Sequence, residues 1–391
     1  MFYNIFQTMR RVVTIFIFLV SLVAAQGTRY LDEVFANVEK TEDVVYGNAP
    51  DLPFWFWVES NTQDIDLKMD VYEPAGDTLA SRPVIVFAHT GAFFSGNNEL
   101  DDVVDLSISA AKRGFVAVSI SYRLGLNVLS SYSGERAVYR SVQDGAAAIR
   151  YLREHSDQLG INPDQIFMWG SSAGAFVALH LSYLGEEDRP QATYGGSGDP
   201  DLGCLVCEGN SYDHDPRPNA IVSCWGAIAN LEWIDSSDTI PAIMFHGTAD
   251  PIVPFELGFP FTIDIALPIV HGSKLINERM DQVGIENELY AEPGELHEYW
   301  GAVNGNWFLG PNEYFDQIKS DAYTFLYKFI DSPDEVEGDI NLDGSVNVLD
   351  VVTLVGLVLD QDLENSFGDL NQDGLSNILD VVLLVNIILT Y

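Results

Sequence analysis

Gln165-Ile166-Phe167-Met168-Trp169-Gly170-Ser171-Ser172-Ala173-Gly174-Ala175-Phe176-Val177-Ala178-Leu179-His180-Leu181 reads as a strand, a tight turn and a helix. At its centre is a G-x-S-x-G pattern, Gly170 to Gly174. Small residues around such a serine let the strand and helix approach each other, and the sharp turn pushes the hydroxyl into the open. Ser172 is therefore the candidate nucleophile.

On either side of this stretch, short apolar runs alternate with helical patterns. Strands are expected at Leu67–Tyr72, Val84–His89, Val116–Ser121, Gln165–Trp169, Ala220–Trp225, Ala242–His246 and Asn287–Ala291. Helices are expected at Val103–Arg113, Ser133–His155, Ala173–Leu184, Lys274–Val283 and Tyr314–Ile330. Strand followed by helix, repeated over roughly 300 residues, predicts the α/β class with a doubly wound, mostly parallel sheet. In such a sheet functional groups gather in the loops after the strands' carboxyl ends.

Those loops supply the partners a serine hydroxyl needs: a base to take its proton and a carboxylate to orient that base, in the chain order serine, acid, histidine. Asp250 follows the strand Ala242-Ile243-Met244-Phe245 through His246-Gly247-Thr248-Ala249 and is the preferred acid, with Glu256 and Asp264 as alternatives. His297, in Pro293-Gly294-Glu295-Leu296-His297-Glu298 after the last strand, is the preferred base, with His271 second. Backbone amides must receive the developing oxyanion. Ala173 offers one, and Gly91 and Ala92, in the loop His89-Thr90-Gly91-Ala92-Phe93-Phe94, offer the others. Phe54-Trp55-Phe56-Trp57, Phe93-Phe94, Trp300 and Trp307 are candidate walls of an aromatic acyl pocket.

Among 391 residues, 58 are Asp or Glu and 19 are Lys or Arg, a formal charge of −39. Such a surface repels nucleic acid. At the N-terminus, Arg10-Arg11 precede an apolar run, Val12 to Val23, and Ala24-Ala25. This is the layout of a signal peptide cleaved after Ala25, and it predicts a secreted, extracellular or periplasmic product with no membrane span after cleavage. Of Cys204, Cys207 and Cys224, the first two are spaced to close a small loop in an oxidising compartment.

After the acidic, proline-containing stretch 332–338 comes an internal repeat. Asp339-Ile340-Asn341-Leu342-Asp343-Gly344-Ser345-Val346-Asn347-Val348-Leu349-Asp350 recurs as Asp369-Leu370-Asn371-Gln372-Asp373-Gly374-Leu375-Ser376-Asn377-Ile378-Leu379-Asp380. Oxygen ligands at loop positions 1, 3, 5, 9 and 12, a backbone carbonyl at 7 and glycine at 6 describe a calcium loop. The ligand sets are Asp339, Asn341, Asp343, Ser345, Asn347 and Asp350, then Asp369, Asn371, Asp373, Leu375, Asn377 and Asp380. Each loop leads into an apolar helix, Val351–Leu359 or Val381–Leu389.

On these stretches, together with Ser121-Tyr122-Arg123-Leu124-Gly125, Asp144 to Leu152 and His246 to Pro254, residues 28 to 331 resemble an α/β-hydrolase of the carboxylesterase and lipase kind. The loop from His89 to Phe93 resembles that family's H-G-G-G-F element, with Thr90 and Ala92 in place of two glycines. Residues 338 to 391 resemble a dockerin. The resemblances imply ester hydrolysis through an acyl-enzyme without a catalytic cofactor, two structural Ca²⁺ ions in a small all-α C-terminal domain, and a cohesin-like or other cell-surface receptor for that domain. Expected boundaries are a signal peptide 1–25, a catalytic domain 26–331, a linker 332–338 and a calcium domain 339–391. Acylated polysaccharide or polyester is the expected substrate material. An exopeptidase, or a non-catalytic binding protein on the same fold, are the alternatives.

Overall fold

Arg82-Pro83-Val84-Ile85-Val86-Phe87-Ala88 is buried along its whole length. An uninterrupted buried run, rather than an alternating one, marks a strand covered by helices on both faces. The computed structural model describes residues 28–52, 58–196, 198–262, 267–330, 338–341, 346–359, 368–371 and 373–390. The expected signal peptide, most of the linker, the run Phe54–Trp57, Asp264, Asp343 and Ser345 lie outside the described residues.

The chain divides into a large unit, Phe35–Asp331, and a second one that takes in the C-terminal segment from Ser332. The large unit holds an eight-stranded sheet: β1 (Val38–Asp51), β2 (Gln63–Pro74), β3 (Arg82–Ala88), β4 (Val116–Ile120), β5 (Ile161–Ser171), β6 (Ile221–Cys224), β7 (Ala242–Gly247) and β8 (Asn287–Glu292). Their spatial order is β1-β2-β4-β3-β5-β6-β7-β8. β2 pairs antiparallel with β1 and β4, and every other neighbour pair is parallel.

The longer helices of this unit are α1 (Asp101–Lys112), α2 (Ser131–Glu154), α3 (Ala173–Tyr183), α4 (Ser273–Val283) and α5 (Glu313–Tyr327). Local chemistry sets their ends. Ser130 caps α2 by accepting from Ser133 N, Asn312 caps α5 by accepting from Tyr314 N at 3.0 Å, and Gly284 ends α4 in the left-handed region. All eleven residues of α3 are buried, so it is a core helix without a solvent face.

The seven expected strands and five expected helices all occur, with ends displaced by a few residues. β1 is an addition. Its first half carries Glu39, Lys40, Glu42 and Asp43, it lies at the sheet edge and it changes register twice against β2, so it lacks the alternation that marks a half-buried strand. A second addition is a three-stranded antiparallel sheet of Ala227–Ile228, Val270–Gly272 and Leu257–Gly258. Cys204 and Cys207 are joined as a disulfide, and Cys224 is buried and free.

In the C-terminal segment, α6 (Val348–Leu359) and α7 (Ile378–Thr390) follow the two repeated loops. Ile340, Leu354, Val381 and Leu384 make a small buried core.

Candidate active site

β5 ends at Ser171 and α3 begins at Ala173, so Ser172 alone makes the turn. Its φ of 52° and ψ of −114° put a non-glycine residue in a left-handed, sparsely populated region, at a cost of about 1–3 kcal/mol. Ser172 N donates to Cys224 O at 2.9 Å and Ser172 O accepts from Phe176 N at 3.1 Å, so β6 and the first turn of α3 hold it there. A Cβ on Gly170 would sit 2.1 Å from Gly174 O, which explains the glycine before the serine.

The loops after β7 and β8 bring Asp250 and His297 to this turn. Asp250 Oδ2 lies 2.6 Å from His297 Nδ1, and His297 Nε2 lies 2.8 Å from Ser172 Oγ. A carboxylate only accepts, so Nδ1 carries the ring proton and the Nε2 lone pair receives the Ser172 hydroxyl. Asp250 Oδ1 accepts from Ile252 N at 2.7 Å and Val253 N at 3.0 Å. Burial works to raise the Asp250 pKa, but hydrogen bonds from His246 and His297 outweigh it and hold the carboxyl well below the usual carboxylate range. His246, fully buried, lies 3.4 Å from Asp250 Oδ2 and 3.1 Å from Val253 O through Nε2, while its Nδ1 meets Ser273 Oγ at 2.8 Å. A carbonyl also only accepts, so Nε2 is the donor and a second ring N–H faces the Asp250 oxygen that His297 uses.

The runners-up fall elsewhere. Glu256 pairs with Lys274 at 2.6 Å. His271 sits in the small three-stranded sheet, paired with Ile228 and Leu257. Trp225 is a neighbour of the site that the sequence does not single out. It follows β6 at φ 45° and sets its buried ring edge-on to His297 at 6.1 Å, a position no local pattern signals.

The loop after β3 turns through three successive residues of positive φ, Gly91, Ala92 and Phe93, and Gly91 O accepts from Phe94 N and Ser95 N, both at 3.0 Å. Phe93 O accepts from Gly125 N and Leu126 N, which ties the loop to the segment after β4. Among the described residues, the amides of Gly91, Ala92 and Ala173 donate no hydrogen bond. Ala173 N is one of the unpaired donors at the start of a helix, on the side of α3 where its dipole favours negative charge.

A cavity of about 370 Å³ opens beside α3, lined by Val138, Val142, Phe176, His180, Trp233 and Leu267. Phe176 is one turn along α3 from Ser172 and meets Phe93 edge-on at 6.1 Å. His180 Nδ1 lies 2.7 Å from Phe176 O, and burial lowers the ring's pKa to about 4. The expected aromatic walls are partly corrected. Trp300 is fully buried against Trp225 at 4.6 Å, and Trp307 packs on Phe315 with its indole N–H on Asp105 at 2.7 Å.

In the C-terminal loops the two position-12 aspartates behave alike. Asp350 Oδ1 accepts from Asn341 N at 3.1 Å and Oδ2 from Asn347 N at 2.7 Å; Asp380 repeats this with Asn371 N at 3.0 Å and Asn377 N at 2.8 Å. Asp369 accepts from Asp373 N and Gly374 N. Among the described residues, no three His, Cys, Asp or Glu side chains are grouped closely enough to hold a metal ion. The donor atoms of the two expected ligand sets are all hard oxygens, the type calcium selects.

The strand order and the covering helices are those of the α/β-hydrolase fold. Residues 69–231 match the BD-FAE family. Over 158 residues the chain is 30% identical to acetylcholinesterase of Danio rerio, covering 39% of this chain and 24% of that one. Over 119 residues it is 34% identical to para-nitrobenzyl esterase of Bacillus subtilis, covering 29% and 24%. The match thus spans about a quarter of these curated relatives' lengths. The propionate-bound thermophilic esterase Est2 of Thermogutta terrifontis is similar over 76% of this chain and 95% of its own, at 25% identity and a TM-score of 0.50.

Proposed function

We propose that the protein is a secreted serine hydrolase of carboxylic esters working through an acyl-enzyme. The observation that carries the reading is the hydrogen-bonded series Ser172 Oγ, His297, Asp250 at the carboxyl ends of β5, β7 and β8. His297 Nε2 takes the Ser172 proton as Oγ attacks the ester carbonyl, and Asp250 stabilises the imidazolium. The amides of Ala173, Gly91 and Ala92 receive the oxyanion, each worth roughly a hundredfold or more in rate. His297 then protonates the departing alcohol, and water, activated by the same ring, releases the acid. Similarity to proteins named as esterases supports this chemistry.

The apolar cavity beside α3 fits an apolar part of the ester. In the tail, Asp339, Asn341, Asp343, Ser345, Asn347 and Asp350 would hold one Ca²⁺, and Asp369, Asn371, Asp373, Asn377, Asp380 and the Leu375 carbonyl a second. The ions would supply structural charge neutralisation only. A tail of this kind suits attachment to a receptor near acylated polysaccharide or polyester.

The test is a panel of nitrophenyl esters of rising acyl length, acetylated and feruloylated sugars, and aminoacyl amides. Ester turnover that disappears in Ser172→Ala, with the fold intact by circular dichroism, is the expected result. Turnover retained by Ser172→Ala overturns the mechanism, and preferential cleavage of aminoacyl amides overturns the ester assignment.

A further inference from the structure

Thr90 immediately precedes Gly91 and Ala92 in the oxyanion loop, and Glu298 immediately follows His297. They are 208 residues apart in sequence, yet Thr90 Oγ1 donates to Glu298 Oε1 at 2.6 Å, with both residues buried. We propose that Thr90 and Glu298 form a clamp that holds the oxyanion amides in register with His297, making them a positioning pair for the reaction; this rests on the ester-hydrolase reading above.

Both ends of the clamp are anchored. Glu298 Oε2 accepts from Gly305 N at 3.3 Å, and Gly305 O accepts from Asp102 N at 3.0 Å. A Cβ on Gly305 would lie 2.9 Å from Thr90 Cγ2 and 3.1 Å from Asp102 Oδ1, so the Gly305 turn is pressed into the same cluster. Glu298 has a φ of 50°, a conformation that persists only where the surroundings impose it. Thr90 is held a second time through its carbonyl, 2.5 Å from His89 Nδ1, which must be the donor there. His89 in turn stacks on Tyr122 at 4.1 Å, and the Tyr122 hydroxyl donates to His89 O at 2.6 Å.

The consequence for the chemistry is geometric. The base and the oxyanion donors arrive on loops from opposite halves of the chain, and the reaction needs them placed together. A hydroxyl donating to a buried carboxylate is a short, strong link. A glycine at position 90, as in the element this loop resembles, has no hydroxyl to offer.

The experiment uses the full chain with Thr90→Val, which removes the hydroxyl at nearly constant shape, and Thr90→Ser, which restores it. Hydrolysis of p-nitrophenyl acetate gives kcat and KM, a fluorophosphonate gives the rate of Ser172 labelling, and thermal unfolding is followed alongside. Thr90→Val is expected to lower kcat and labelling about tenfold to a hundredfold with KM changed less than about twofold, the pattern of an interaction expressed in the transition state. Thr90→Ser is expected to stay within about threefold of the parent. An active parent with an indifferent Thr90→Val, or with Thr90→Val and Thr90→Ser equally slow, overturns the clamp alone. A parent that neither hydrolyses the ester nor labels overturns the ester-hydrolase reading, and the clamp with it.

Discussion

Gly174 packs so closely on Ala88, the last residue of β3, that a Cβ added to it would lie 2.0 Å from the Ala88 carbonyl oxygen and 2.8 Å from His89 O. Both neighbours are backbone, so no side-chain rotation relieves the overlap. Through this approach α3 sits directly against the strand that feeds the oxyanion loop, and Ser172 is held beside that loop. Gly174→Ala is therefore expected to cost more than the roughly 1–3 kcal/mol of ordinary overpacking. Thermal unfolding and ester turnover should both fall; a parent-like melting temperature would contradict the close packing.

Asp250 gives a prediction in rate and one in acid stability. Asp250→Asn leaves the shape but invites the wrong His297 tautomer, so kcat is expected to drop on the order of 10³–10⁴-fold. Unfolded, Asp250 titrates near about 3.9; folded, it is held well below that. The folded state thus binds fewer protons, and the stabilisation is present above about pH 4 and lost as the pH falls below it. The stability difference between parent and Asp250→Asn should shrink on acidification through this window in denaturant titrations. A difference constant with pH counts against it.

Asp102 carries the opposite sign. Its carboxyl is fully buried beside Tyr122 and the carboxylate of Glu298, and burial, with Glu298 and Asp101 adding, pushes its pKa well above the usual value. Here the folded state keeps a proton that the unfolded chain has released, so stability from this group falls as pH rises above about 4. Asp102→Asn keeps an oxygen to accept from Val103 N, the 2.8 Å bond that Asp102 Oδ1 makes, and removes the titration. Its melting temperature is expected to exceed the parent's at pH 7 and to approach it near pH 4. Equal stability at both pH values would rule out a proton held by Asp102.

The meeting of Ser172, Asp250 and His297 was legible because parallel topology confines polar groups to the ends of apolar strands, and few histidines and carboxylates follow those strands. The Thr90 to Glu298 bond was not, since the sequence shows Thr90 only as a departure from a glycine element and a 208-residue separation leaves no local trace. Trp300 misled for a related reason. Proximity in sequence to His297 favoured a pocket wall, whereas packing on Trp225 and Phe315 takes the ring into the core. β1 escaped because its polar edge is stabilised by pairing with β2 rather than by a buried face.

The repeated loops make the last prediction. Asp350 and Asp380 are buried at the first turns of α6 and α7, and each bridges the amides of loop positions 3 and 9, so each links loop closure to helix initiation. If the loops take calcium as proposed, neutralising the crowded carboxylates should tighten that link. Adding Ca²⁺ to the EDTA-treated full chain is expected to raise helical circular dichroism and bind two ions by calorimetry. Asp380→Ala removes one loop's closing carboxylate and is expected to bind one ion while leaving ester turnover at the parent level. No heat of binding to the parent chain would remove calcium from the account, and a two-ion stoichiometry retained in Asp380→Ala would remove Asp380 from the ligand set.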